Sequence, residues 1–145
     1  MKRIIYISSA RHNLKPPHIN DILAASRENN RRDQITGLLV YHEGVFLQVL
    51  EGATDQVQQV YARIARDWRH TDCRVLFDEP IVERAFAEWS MAYRLGAELE
   101  ARQVRQLNDI QSVVKSCKTG QYADHPSLNV FLRAFLSSFR LLDAA

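Results

Sequence analysis

Ile35-Thr36-Gly37-Leu38-Leu39-Val40-Tyr41-His42-Glu43-Gly44-Val45-Phe46-Leu47-Gln48-Val49-Leu50-Glu51-Gly52 consists of two apolar, strand-forming runs on either side of a Glu-Gly turn. The spacing predicts a β-hairpin, with strands at 35–41 and 45–51, a turn at Glu43-Gly44, and Gly52 ending the second strand. Gln48 stands out in this context. An unpaired buried amide costs on the order of 1–3 kcal/mol, so a partner must satisfy it. The best candidates are a phenol and a ligand that offers ring carbonyls and N–H groups.

Upstream, Arg3-Ile4-Ile5-Tyr6-Ile7-Ser8 reads as a strand, with Ile4, Tyr6 and Ser8 on one face and Ile5 and Ile7 on the other. Ala10 to Pro17 is loop-like, and Pro16-Pro17 suits the first turn of a helix of about 18–29. Ile19, Ile22, Leu23, Ser26 and Asn30 share one stripe of that helix. Ser26 interrupts the stripe with a hydroxyl and Asn30 prolongs it, an arrangement that suits a ligand lying against the helix. On their own, Asn29-Asn30 also fit a helix C-cap. Downstream, Thr54 or Asp55 is expected to cap a helix of about 55–68 with a core stripe of Val57, Val60, Tyr61, Ile64 and Trp68. Arg63 and Asp67 lie to one side of that stripe at the i, i+4 spacing of an exposed ion pair. A fourth strand begins at 74–77 and is interrupted near Pro80, and a short fifth runs through 89–93.

The order strand–helix–strand–strand–helix–strand–strand is the split βαβ, ferredoxin-like α+β arrangement (βαββαββ). Both helices should cover one sheet face. The other face needs a cover, which helices at about 98–117 and 127–141 can supply. The expected division is 1–95 and 96–145. Of the 145 residues, 46% are apolar and 25% charged, as in ordinary globular proteins. The net charge of +2 makes no electrostatic case for nucleic acid or an anionic membrane. Cys73 and Cys117 show no C-x-x-C or zinc spacing, and the histidines (12, 18, 42, 70, 125) no metal-ligand spacing. There is no leader pattern and no apolar run approaching ~18–20 residues, so a cytoplasmic location is expected. G-x-G-x-x-G, the P-loop and G-x-S-x-G are all missing, and no catalytic turnover is expected.

Tyr6, Asn29-Asn30, Ile35-Thr36-Gly37-Leu38-Leu39, Phe46-Leu47-Gln48-Val49-Leu50-Glu51-Gly52, Arg63, Asp67-Trp68-Arg69-His70 and Phe86-x-x-Trp89-Ser90-Met91 occur in this order from about residue 3 to 94. Together they resemble the BLUF family, blue-light sensors using FAD. The resemblance implies a ferredoxin-like fold with the isoalloxazine ring held between the first two helices. It implies FAD contacts from Tyr6, Ile22, Ser26, Asn29, Asn30, Gln48, Arg63, Ile64, Asp67, Arg69 and His70, the last two toward the ribityl-phosphate side. It further implies a light-driven electron and proton transfer between Tyr6 and flavin that rearranges the hydrogen bonds of Gln48. The signal would then pass through Trp89, Ser90 and Met91. The expected partners are a second copy of the chain and a downstream effector protein. Gln34 departs from the family pattern, since glycine or another turn former is expected before Ile35. Two other uses of the same fold fit the sequence less well. An acylphosphatase-like hydrolase built on Arg11 lacks a glycine-rich phosphate cradle, and an RNA-binding module lacks a paired aromatic platform.

Overall fold

The computed structural model describes residues 1–11, 15–87, 92–95, 98–116 and 126–143. The chain divides into two compact units, Met1–Leu95 and Gly96–Ala145. The first unit follows the order β1 (Lys2–Ala10), α1 (Pro16–Arg32), β2 (Thr36–His42), β3 (Val45–Gly52), α2 (Thr54–Ala65), β4 (His70–Pro80) and β5 (Ala92–Leu95). Its sheet runs β4-β1-β3-β2-β5. The first four strands pair antiparallel in the ferredoxin-like order, and β5 adds at the edge, parallel to β2. Strand four is longer than the expected 74–77, and strand five is described over Ala92–Leu95. Trp89, Ser90 and Met91 lie outside the described residues.

The β2–β3 hairpin closes with His42 opposite Val45. Glu43 (φ 47°) and Gly44 (φ 81°) are both left-handed, the combination a type I′ turn requires and one whose twist matches that of the strands. Gly37 passes so close to β3 that a Cβ there would lie 1.8 Å from the Val49 carbonyl oxygen. The departure at Gln34 also has a geometric meaning. Gln34 adopts φ 56° just beyond α1, and the Ile35 N–H turns back to the Asn30 carbonyl at 2.8 Å. A side chain thus occupies a left-handed helix exit that glycine usually fills.

Two helix boundaries differ from expectation in ways that matter for the site. Helix α1 continues to Arg32, so Asn29 and Asn30 lie within its last turns rather than capping it. Helix α2 stops at Ala65, and its N-cap is Ala53, with Thr54 and Asp55 already inside the first turn. Asp55 there complements the helix dipole instead of capping. Because α2 ends early, Asp67 and Trp68 leave the helix surface altogether.

Ile19, Ile22 and Leu23 of α1 and Val57 and Val60 of α2 pack with Ile4, Tyr6, Leu39, Phe46 and Leu50 of the sheet. Both helices therefore cover the face that carries Tyr6 and, between Phe46 and Leu50, Gln48. At the end of β3 the fully buried Glu51 accepts from Arg3 Nη2 (2.9 Å), the Ala85 N–H (2.9 Å) and the Phe86 N–H (2.8 Å). Arg84 Nη1 adds bonds to Thr36 Oγ1 (2.9 Å) and the Glu51 carbonyl (3.1 Å). A buried carboxylate is tolerated only when paired in this way, and the pairing ties β1, β2 and the 84–86 segment to β3.

The second unit contains α3 (Ala101–Ser116) and α4 (Pro126–Asp143). Near the start of α3, buried Gln103 Nε2 donates to Ser138 Oγ near the end of α4 at 3.1 Å, so the two helices run antiparallel. Leu107, Ile110 and Val114 on α3, and Leu128, Leu132 and Phe135 on α4, form their buried stripes.

Gln34→Gly is expected to stabilise the protein by about 1 kcal/mol, because a left-handed residue with a Cβ is strained by that order. Gly37→Ala is expected to destabilise it by more than about 3 kcal/mol, since the backbone of β3 must move. Urea unfolding of the two variants tests both signs.

Candidate functional site

Strand pairing sets Tyr6 on β1 opposite Gln48 on β3, and Leu39 on β2 opposite the same glutamine. The Tyr6 hydroxyl donates to Gln48 Oε1, and both side chains are buried. The phenol anticipated as the partner of the strand amide is therefore Tyr6. Burial, with smaller contributions from Cys73, Tyr61 and Asp67, pushes the Tyr6 pKa well above that of an ordinary phenol. Tyr6 is thus a neutral donor, and the ring of Tyr61 packs edge-on against it at 5.5 Å.

Above this pair, between α1 and α2, lies a cavity of about 220 Å³. Against roughly 30 Å³ per liquid water, that is far more than a packing defect. Helix α1 contributes Ile22, Ser26, Asn29 and Asn30 to its wall, and the sheet contributes Tyr6, Gln48 and His70. Arg63 and Ile64 come from α2, and Asp67 and Arg69 from the turn that follows. All eleven residues that the resemblance names as contacts thus line one cavity. Three further wall residues were not singled out. Leu39 can be found from its hairpin register opposite Gln48, Val60 belongs to the core stripe of α2 one turn before Ile64, and Ala25 carries no sequence signal. One wall atom is unusual: Asn30 is 2% exposed, and its Nδ2 has no hydrogen-bond partner among the described residues. A buried amide donor in this state calls for an acceptor inside the cavity.

The charged residues pair differently from the i, i+4 expectation. Arg63 Nη2 reaches Asp33 at the exit of α1 (2.7 Å) rather than Asp67. Asp67 instead takes Arg69 in a two-pronged pair, at 2.9 Å from Nε and 2.6 Å from Nη2, and accepts the Arg69 N–H at 3.0 Å. The early end of α2 causes the change, because it frees Asp67 to cap the turn into β4. These bonds to Arg69 hold the Asp67 carboxyl below the usual carboxylate range. Hydrogen bonds from Arg32 and Arg63 do the same for Asp33. Trp68, expected in the core stripe, is 54% exposed. At the start of β4, His70 Nδ1 lies 3.0 Å from Ser8 Oγ and its ring packs on Phe46 at 4.8 Å. Burial lowers the His70 pKa, opposed by Asp67 and aided by Arg69.

Residues 1–92 match the family model described as sensors of blue-light using FAD. The chain belongs to the BLUF family. It is 37% identical over 89 residues to the photoactivated adenylate cyclase subunit beta of Euglena longa, a match covering 61% of this chain and 10% of that protein. The structure of a bacterial light-regulated adenylyl cyclase matches with a TM-score of 0.71 and 36% identity, over 79% of this chain and 34% of that one. The dark-state structure of the BLUF protein BlrB matches with a TM-score of 0.73 and 26% identity, over 94% of this chain and 95% of that one. The chain thus spans about a tenth of the length of the photoactivated adenylate cyclase subunits it matches and nearly all of the length of BlrB. BLUF is a flavin-binding blue-light sensor domain, its cofactor is FAD, and the hydrolase alternative gains no support. The cavity fits that cofactor: Asn30 Nδ2 lacks an acceptor, and the isoalloxazine ring carries carbonyls. Among the described residues, no helix is long and apolar enough to cross a membrane, and no group of three His, Cys, Asp or Glu could hold a metal ion.

The depressed His70 pKa has a definite sign. Burial sets the folded-state pKa of His70 below the 6.5 of the unfolded chain, so this contribution to stability is present above about pH 6.5 and is lost as the pH falls from there through the lower folded value. Between about pH 7 and about pH 5, the unfolding free energy should fall more steeply in the native protein than in His70→Gln, as measured by urea titration. Equal slopes would contradict the assignment.

Proposed function

We propose that this cavity is the FAD site and that the Tyr6–Gln48 pair is the light-responsive element of the chain. The observation that carries the reading is the unpartnered Asn30 Nδ2 in the wall of a cavity whose floor is the Tyr6–Gln48 hydrogen bond. Asn30, supported by Asn29, would bind the polar edge of the ring. Ile22, Val60 and Ile64 supply apolar contact, and Ser26 a hydroxyl at the cavity edge. Asp67, Arg69 and His70 would lie toward the ribityl-phosphate side, with Arg63 positioned by its bond to Asp33. Bound FAD would supply blue-light absorption and an electron-accepting excited state.

The residues of the chain do the rest. Tyr6, protonated in its buried setting, holds its hydroxyl hydrogen on the Gln48 Oε1 atom. Transient loss and return of that hydrogen lets the Gln48 amide leave one hydrogen-bonded arrangement and settle in another, because an amide offers donors at one end and an acceptor at the other. Gln48 lies three residues before Glu51, which grips the backbone at 85 and 86. A change at Gln48 therefore has a short covalent and hydrogen-bonded route to the segment that leads through Trp89, Ser90 and Met91 into β5. This is a local switch biasing a two-state element. We assign the chain a sensing role without turnover of a substrate, acting in the cytoplasm on an effector protein or through its own self-association. Its matched relatives include cyclases regulated by light, which supports the effector reading.

Visible spectra before and after blue light test the proposal. The native protein should show a flavin spectrum that moves slightly to the red and returns in the dark. Tyr6→Phe should keep the flavin and lose the movement. Asn30→Ala should weaken flavin binding by about tenfold, the order of one buried hydrogen bond. A colourless protein that flavin cannot reconstitute would contradict the reading.

A further inference from the structure

Trp68 is the one aromatic side chain among the described residues that is more than half exposed. It lies between Asp67 and Arg69, which both line the cavity, and its ring partner His18 lies one helical turn before the wall residue Ile22, so the indole is next to the cavity without being part of its wall. Its ring contact is an edge-on approach by His18 from the first turn of α1, with centroids 6.3 Å apart at 77°. The same corner holds Arg11, whose backbone N–H donates to the Arg69 carbonyl at 3.3 Å, and Asp21, close enough to act on the Arg69 charge. The rim is therefore formed by the start of α1 and the 67–69 turn. The inner end of the cavity is closed by the buried Tyr6 and Gln48.

The proposed function puts a ring system inside this cavity. FAD is a dinucleotide, and a floor closed by Tyr6 and Gln48 leaves its adenine half only the outward direction. Exposed tryptophan is a poor surface residue and a good stacking platform, because an indole face accepts any purine ring with little loss of side-chain freedom. We propose that Trp68, braced by His18, is a stacking site for the adenine of FAD and makes the chain select the dinucleotide over shorter flavins. This inference rests on the proposed flavin site and adds to it a specificity-determining residue. Arg11 and Arg69 bring positive charge to the rim that the connecting pyrophosphate would cross.

Fluorescence titration of the flavin-stripped full chain with FAD, FMN and riboflavin separates the two readings, because riboflavin reports on the ring cavity alone. The native protein should bind FAD about tenfold more tightly than riboflavin, the order of one base–aromatic stack, with FMN closer to riboflavin. Trp68→Ala should lose that preference by weakening FAD alone, and Trp68→Phe should retain most of it. Equal affinity for FAD and riboflavin in the native protein would overturn the stacking site while leaving the flavin site intact. FMN binding as tightly as FAD would overturn it in favour of phosphate recognition. A Trp68→Ala variant that weakens all three flavins alike would overturn it as a merely structural effect. Failure of all three to bind the native protein would overturn the flavin site itself.

Discussion

A hydrogen bond from a buried phenol to a buried amide, across two neighbouring strands, is the constraint around which the first unit is arranged. Neither Tyr6 nor Gln48 could be buried alone without a desolvation penalty on the order of 1–3 kcal/mol. Their register on β1 and β3 lets each remove the other's penalty. The β2–β3 register is set separately by the hairpin, whose two left-handed turn residues fix which β3 residue faces Leu39, and by Gly37, which lets β2 come close enough to pair. Once the pair is made, the same sheet face must carry α1 and α2, because Ile4, Phe46 and Leu50 flank it and need cover. The cavity is the space those two helices leave above Tyr6 and Gln48.

The polar balance of that space explains why it suits a ring with both apolar faces and polar edges. Most of its wall is satisfied internally: Arg63 by Asp33, Arg69 by Asp67, His70 by Ser8 and Tyr6 by Gln48. Asn30 Nδ2 is the exception. A buried donor without a partner calls for one, and the proposed flavin would supply it. Glu51 is the reverse case, a buried charge with its bonds met, and rigidity follows from it. It locks the end of β3 to the 84–86 segment, which supports the proposed route from Gln48 toward β5.

The strand order and both helices of the first unit were legible in the sequence because the strand runs are long. Gln48 was legible because a polar residue within an apolar run has few structural reasons to be there. The eleven wall residues as a set came from the family resemblance. The misses lie at helix ends. The stripe Val57, Val60, Ile64, Trp68 keeps helical spacing past the point where α2 ends, and nothing in hydrophobic periodicity says that the chain turns at Arg66. The misplaced Trp68 and the failure of the alternative reading of Arg63 and Asp67 as an ion pair both follow from that one boundary. Arg63 finds Asp33, thirty residues away, by a tertiary approach of α1 and α2 that spacing within one helix cannot reveal. Gln34 illustrates the opposite: its departure from the family pattern marked a left-handed residue that structure then displayed.

Central to the account is a Gln48 amide that changes hydrogen-bond partners when the chain is illuminated. An infrared light-minus-dark difference spectrum of protein carrying isotope-labelled glutamine reads that event directly. The account predicts a label-sensitive amide carbonyl band that appears with illumination, decays in the dark and is missing from Tyr6→Phe. A native protein whose flavin responds to light while no glutamine band moves would contradict it.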